Sequence, residues 1–288
     1  VVDKKISEVK VVILGAGASA ISCAKHYLRL GVSEENLLML DSKGILTNNR
    51  KERGEINEYK AEFARNVDDG DVGDALEGAD VFLGLSKGGL VSPEEIAKMN
   101  SMPLIFALAN PDPEITPEQV ATVRDDAIVA TGRSDYPNQI NNVLGFPYIF
   151  RGALDVRATE ITEGMKMAAT KAIAELAKEP VPDDVSMAYG GEQMSFGPEY
   201  IIPKPFDARV LIWEASAVAE AAVKEGVARV SSEDFDFGAY KDALESRLGL
   251  TRSIMRRVIN QAKRDPKKIV FCEGEDPTII KAASQCIS

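Results

Sequence analysis

The chain has 288 residues, 45% hydrophobic and 27% charged, a globular balance that excludes a disordered or collagen-like polymer. Its 34 Lys and Arg against 45 Asp and Glu leave a net charge of −11, which argues against a binder of nucleic-acid backbones. No run of about 20 apolar residues is present to span a bilayer, and the apolar stretch before Lys25 lacks the layout of a secretory signal. Three cysteines, odd in number and unspaced for metal, fit a reducing cytoplasm. His26 is the only histidine, which excludes a His-rich metal site. The chain opens Val1-Val2-Asp3 and enters a strand within ten residues, so it reads as a fragment of something longer.

Lys10–Leu14 (KVVIL) is a β-branched apolar run of the kind that becomes a buried parallel strand. Gly15 through Ala20 follow at once, then a helical pattern stopping at Gly31, then a second strand at Asn36–Asp41. Residues 42–70 are polar and read as loop plus a weak helix. The period then repeats: helix 71–79 and strand Asp80–Leu85, helix 92–99 and strand Pro103–Ala109, helix 116–124 and strand Ala127–Thr131. Strands alternating with helices at this spacing define βαβ units and a parallel sheet. The expected fold is α/β, a Rossmann-like doubly wound parallel sheet with additional C-terminal helices.

After Thr131 the pattern predicts no further strand until the C-terminus. Residues 139–179 read as two helical pieces, 181–205 as an irregular stretch, and 206–226 as a long helix ended by Gly226. Helices at 236–248 and 252–264, a strand at Lys267–Glu273 and a helix from Pro277 complete the reading.

The chemistry-bearing signal is strand, G-x-G-x-x-A, helix, then an acid ending the next strand. Gly15 permits the tight turn, Gly17 lets backbone approach a pyrophosphate, and Ala20 allows close helix–strand packing. The helix start, with Ala16, Ala18 and Ser19, offers unpaired N–H groups to phosphate. Asp41 stands where a carboxylate meets the adenine ribose of a dinucleotide. Ser42 and Lys43 follow it and could hold a 2′-phosphate, so NADP is preferred to NAD. A plain solvated Asp-Ser-Lys-Gly turn is the competing account. Ser86 and Asn110 follow other strand ends, where ligands bind in open α/β sheets. Asn110 is also a turn-former before Pro111. Asn138, Asn141 and Asn142 follow the next strand, and helix capping accounts for only one of the three. His26, the acidic pairs Asp68-Asp69, Asp125-Asp126 and Asp183-Asp184, and Trp213 read as packed or solvated residues rather than as a site.

VVILGAGASA (Val11–Ala20), Asp41-Ser42-Lys43-Gly44, FALANPDP (Phe106–Pro113), TGRSDYPNQINNVLGFPYIFRGAL (Thr131–Leu154) and YIIPKPF (Tyr200–Phe206) together resemble bacterial malic enzyme. Lys267–Ala283 is similar to the opening of a phosphotransacetylase domain, an order found in the hybrid malic enzymes of bacteria. The resemblance implies a cofactor-binding domain at 1–230, a helical connector at 231–266 and the start of a truncated phosphotransacetylase-like domain at 267–288. It implies oxidation and decarboxylation of (S)-malate to pyruvate, with NADP or NAD and with Mg²⁺ or Mn²⁺. Carried over position by position, Gly15–Ala20, Asp41, Ser42, Lys43, Asn110 and Asn141 would contact cofactor, to which the strand-end reading adds Ser86; Asn110, Asn141 and Asn142 would face malate. The family's catalytic Tyr and Lys and its metal ligands precede the glycine turn, so none is expected in this chain, which alone should bind nucleotide without turning malate over. A homodimer or larger assembly is expected from the apolar surface of the later helices. Two alternatives stand beside this reading: a non-catalytic nucleotide-binding and dimerisation module, and a dehydrogenase acting on folate or shikimate, which the asparagine blocks disfavour.

Overall fold

A computed structural model describes residues 1–231 and 233–248, with positions 270, 275 and 279. The chain forms two compact units, 1–235 and 236–288. In the first, seven strands make one sheet: β1 (Val11–Leu14), β2 (Leu37–Asp41), β3 (Gly44–Ile45), β4 (Val81–Gly84), β5 (Leu104–Ala107), β6 (Ile128–Thr131) and β7 (Asn138–Gln139). Their order is β3-β2-β1-β4-β5-β6-β7, parallel throughout except for β3 against β2. The chain reverses direction across the sheet between β1 and β4, and in doubly wound sheets ligands lodge at that switch point.

The strands form because both faces of each are covered. Val12 and Leu14 of β1 pack on one side with Leu38, Phe82 and Ile105, beneath α4 (Val72–Leu76), α5 (Pro93–Ile96) and α6 (Pro117–Ala121). Val11 and Ile13 face the other side with Met39, Leu83 and Phe63. There they meet Ala20 and Ala24 of α1 (Ala18–Leu30), with α2 (Asn48–Glu52) and α3 (Glu58–Ala61) following β3. The short helices are started by side chains: Asp71, Ser92 and Thr116 each accept the N–H of the third helical residue, whose side chain accepts the N–H of the cap.

Beyond the sheet, α7 (Phe146–Asp155), α8 (Glu163–Leu176), α9 (Asp183–Ala188) and α10 (Arg209–Lys224) follow in order. Leu144, Leu176 and Val210 form a core that Tyr148 and Ile202 flank. Gly152 lets α7 close on α10, since a Cβ there would stand 2.5 Å from the carbonyl oxygen of Ala215. In the second unit, α11 (Phe237–Ser246) is capped by Asp236. The predicted helix at 252–264, and all but single positions of the strand Lys267–Glu273 and of the helix from Pro277, lie outside the described residues.

Three expectations are corrected. Strands do not stop at Thr131, because β7 pairs in parallel with β6. Its polar residues gave no hydrophobic signal; Asn138 is fixed by its amide, which donates to Pro198 and Val129 carbonyls and accepts from the Ile201 N–H. Residues 42–70 hold more than the loop and weak helix expected: β3 and two short helices, α2 and α3, surround the buried Arg50. The irregular stretch 181–205 contains α9, and Lys204 anchors its end by donating to the carbonyl of Pro137.

Candidate functional site

β1 ends at Leu14, and Gly15 turns the chain with φ +130°, a conformation L side chains rarely adopt. A Cβ at Gly15 would lie 2.5 Å from the carbonyl oxygen of Leu85, beyond the end of β4. At Gly17 the reverse holds: a Cβ would meet nothing within 4 Å, so the missing side chain leaves open space above the helix start. Gly17 is the N-cap of the 13-residue α1, and no side chain caps that end. The first turn therefore presents unpaired N–H groups and the positive end of the helix dipole to that space. A dinucleotide's pyrophosphate matches this arrangement in charge and in size.

A cleft of about 1060 Å³ opens here, and Gly15, Ala16, Gly17, Asp41, Ser42, Lys43 and Ser86 all line it. Ala20, by contrast, is buried against the sheet, as a helix–strand packing residue should be. Asp41 is no solvated turn acid. Its carboxylate is gripped by Arg50 at 3.0 Å and Lys60 at 2.8 Å, and it accepts from the Lys43 N–H at 3.0 Å. Burial acts to raise the Asp41 carboxyl, but Lys60, the Lys43 amide and Arg50 outweigh it and hold it below the usual range. Arg50 is 2% exposed and also donates to the carbonyls of Gly44 and Ile45, whereas Lys60 lines the cleft. Sequence reasoning missed both cations, since nothing separates them from the other charges of residues 42–70.

Asn110 does not line the cleft. It stands at the end of β5 beside Gly132, where a Cβ would lie 3.3 Å from its Oδ1. Asn141 and Asn142 line a separate cavity of about 730 Å³ with Gly145, Phe146 and Ile202. Asn141 also caps a short 3₁₀ turn by accepting from the Val143 N–H, the capping role expected of one asparagine. His26 is remote from the cleft, bonded to Thr170 of α8. Asp69 and Asp126 are ion-paired to Arg53 and Arg124, so neither pair is simply solvated. Trp213 is 36% exposed. Among the described residues, no group of three or more His, Cys, Asp or Glu is placed to hold a metal. Likewise, no described helix is long and apolar enough to cross a membrane.

Strand, glycine turn, uncapped helix and clamped acid at a topological switch point define a Rossmann-like α/β domain of the NAD(P)-binding class. Residues 1–188 match the family model for the malic enzyme NAD-binding domain, and the chain belongs to the malic enzyme family. It is 51% identical to the NADP-dependent malic enzyme of Rhizobium meliloti (strain 1021) over 95% of this chain and 36% of that protein. The same organism's NAD-dependent malic enzyme is 47% identical, over 97% of this chain and 36% of its own length. The crystal structure of Entamoeba histolytica malic enzyme superimposes with a TM-score of 0.74 at 33% identity, covering 99% of this chain and 55% of that one. The chain thus spans little more than a third of the length of those two Rhizobium relatives.

Proposed function

We propose that this chain is the cofactor-binding part of a cytoplasmic malic enzyme that converts (S)-malate to pyruvate and CO₂ with NADP. The clamp on Asp41 carries the choice of NADP. A bare carboxylate at this position repels a 2′-phosphate, but this one is neutralised by Arg50 and Lys60, and Ser42, Lys43 and Lys60 face the cleft around it. The Gly15–Ala20 turn holds the pyrophosphate through the unpaired N–H groups of the α1 start, with Ser86, Asn110 and Asn141 further along the coenzyme. Bound there, the coenzyme would supply a hydride acceptor for the hydroxyl-bearing carbon of malate. Asn110, Asn141 and Asn142 orient malate through its oxygens, as amides that both donate and accept can. Mg²⁺ or Mn²⁺, and the Tyr and Lys that move protons, are assigned by family resemblance to a domain preceding residue 1.

The same reading gives 1–230 as the cofactor domain, 231–266 as a connector and 267–288 as the start of a phosphotransacetylase-like domain. The hybrid organisation rests on the resemblance of Lys267–Ala283 to the opening of that domain. NAD as the natural coenzyme is the second reading, favoured by the 47% identity to an NAD-dependent relative.

Fluorescence titration of the chain with NADPH and NADH tests the assignment. NADPH is expected to bind at least tenfold tighter, and Lys60→Ala to weaken NADPH by about tenfold, near 1.4 kcal/mol, with NADH little changed. Equal affinity for the two coenzymes would return the chain to the NAD-dependent class.

A further inference from the structure

Gly84 ends β4 in register between Leu14 of β1 and Ala107 of β5, a central position where side-chain packing normally favours a larger residue. The space a side chain would need is already occupied: a Cβ on Gly84 would stand 2.3 Å from Cδ of Glu114. Glu114 is fully buried. One of its oxygens accepts the N–H of Ser86 at 2.9 Å, and the other accepts the N–H of Ala109 at 3.0 Å. Those two amides begin the two loops at the ligand end of β4 and β5. Ser86 itself lines the cleft, and Ala109 immediately precedes Asn110. The loops are laced together further out, with Gly89 N–H donating to Pro113 and Val91 N–H to Glu114 at the main chain. Gly88 lies so close to Asp112 that a Cβ would meet its carbonyl oxygen at 2.7 Å.

We infer that Glu114, seated on Gly84, is a positioning residue that fixes Ser86 and Asn110 relative to each other. It is buried behind the loops and does not line the cleft. The inference rests on the proposed reading of the cleft as a dinucleotide site. Its chemistry is specific to two acceptor oxygens: an amide at this position would present one acceptor and one donor, leaving one of the two loop N–H groups facing another N–H. A buried donor stripped of its acceptor re-aims its loop rather than remaining unpaired.

The test compares Glu114→Gln with Asp126→Asn in the 288-residue chain. Asp126 is a partly exposed clasp at the opposite end of the sheet, accepting from Met102 N–H at 2.6 Å and pairing with Arg124. Both substitutions are expected to lower the melting temperature. Only Glu114→Gln is expected to weaken NADPH, by about tenfold; Asp126→Asn should leave it within about twofold of the unchanged chain. Equal NADPH affinity in Glu114→Gln and the unchanged chain would overturn the inference. Absence of coenzyme binding by the unchanged chain would remove the cleft's assignment, and this inference with it. If Glu114→Gln does not fold, amide exchange of the unchanged chain decides. The segments 86–91 and 109–114 are expected to open as one unit, and independent opening would overturn the proposal.

Discussion

Glu214 lies on α10 with no exposed surface, and neither of its carboxylate oxygens has a hydrogen-bond partner. Burial pushes its carboxyl from the ordinary 4.5 up to about 8, so the folded chain keeps the proton at neutral pH. The nearby Tyr148 hydroxyl is itself raised, first by burial and then by Glu214 and Asp207. The sign of the linkage is fixed by this direction. Below pH 4.5 both folded and unfolded chains hold the proton, and Glu214 costs nothing by ionising. Between 4.5 and 8 the unfolded chain releases it while the folded chain does not, and stability falls by about 1.4 kcal/mol per pH unit. Glu214→Met, of similar length and without a charge to desolvate, is expected to stabilise the chain by about 2–4 kcal/mol at pH 7.5. Urea unfolding at pH 7.5 and pH 5 checks this, since the gain should nearly vanish at the lower pH. The sequence shows Glu214 only as one more acid in an amphipathic helix. Its burial is set by the packing of α10 on α7 and α8, which residue spacing does not specify.

The turn from β1 into α1 contains two glycines with opposite reasons for lacking a side chain. Gly15 lacks room and needs a positive φ; Gly17 has room that nothing in the protein fills. Gly15→Ala is therefore expected to cost at least about 2 kcal/mol of stability through strain and the Leu85 contact. Gly17→Ala should melt at nearly the same temperature as the unchanged chain yet lose most of its NADPH affinity. Thermal melts paired with coenzyme titrations separate the two effects; a Gly17→Ala chain that binds normally would contradict the placement of the pyrophosphate. This element was legible from sequence because every part of it has a local signature. The buried parallel strands were equally legible, being short contiguous apolar runs such as Val11–Leu14 and Val81–Leu83. Elements held by polar side chains were not. β7 depends on Asn138, and the clasp around Asp41 depends on Arg50 and Lys60, from a stretch whose charges suggest solvent exposure.

At the scale of the molecule, α7 carries Phe146, Phe150 and Leu154 one turn apart along one side, 66%, 40% and 65% exposed. The Phe146 and Phe150 rings meet at a tilt of 54° with centroids 4.8 Å apart. Such a stripe on a single helix fits the proposed homodimer or larger assembly. Light scattering is expected to give a mass at least twice the 31.2 kDa of the chain, and Phe146→Glu with Phe150→Glu to lower it. A monomer for the unchanged chain would remove that part of the reading. The overall α/β class and the parallel sheet were within reach of the alternating pattern, while the asparagines' separation into two sites was not, because it arises from loop paths.

The uncapped start of α1 has a consequence beyond recognition. Asp71, Ser92, Thr116 and Thr162 complete their helices with side chains of this chain, whereas α1 has no side-chain cap, and the proposed coenzyme would supply the acceptors its first turn lacks. Coenzyme is then a component of the fold, and by mass action a free concentration of 100 times Kd adds about 2.7 kcal/mol to stability. The lifetime of this protein against proteolysis would accordingly follow the size of the coenzyme pool that surrounds it.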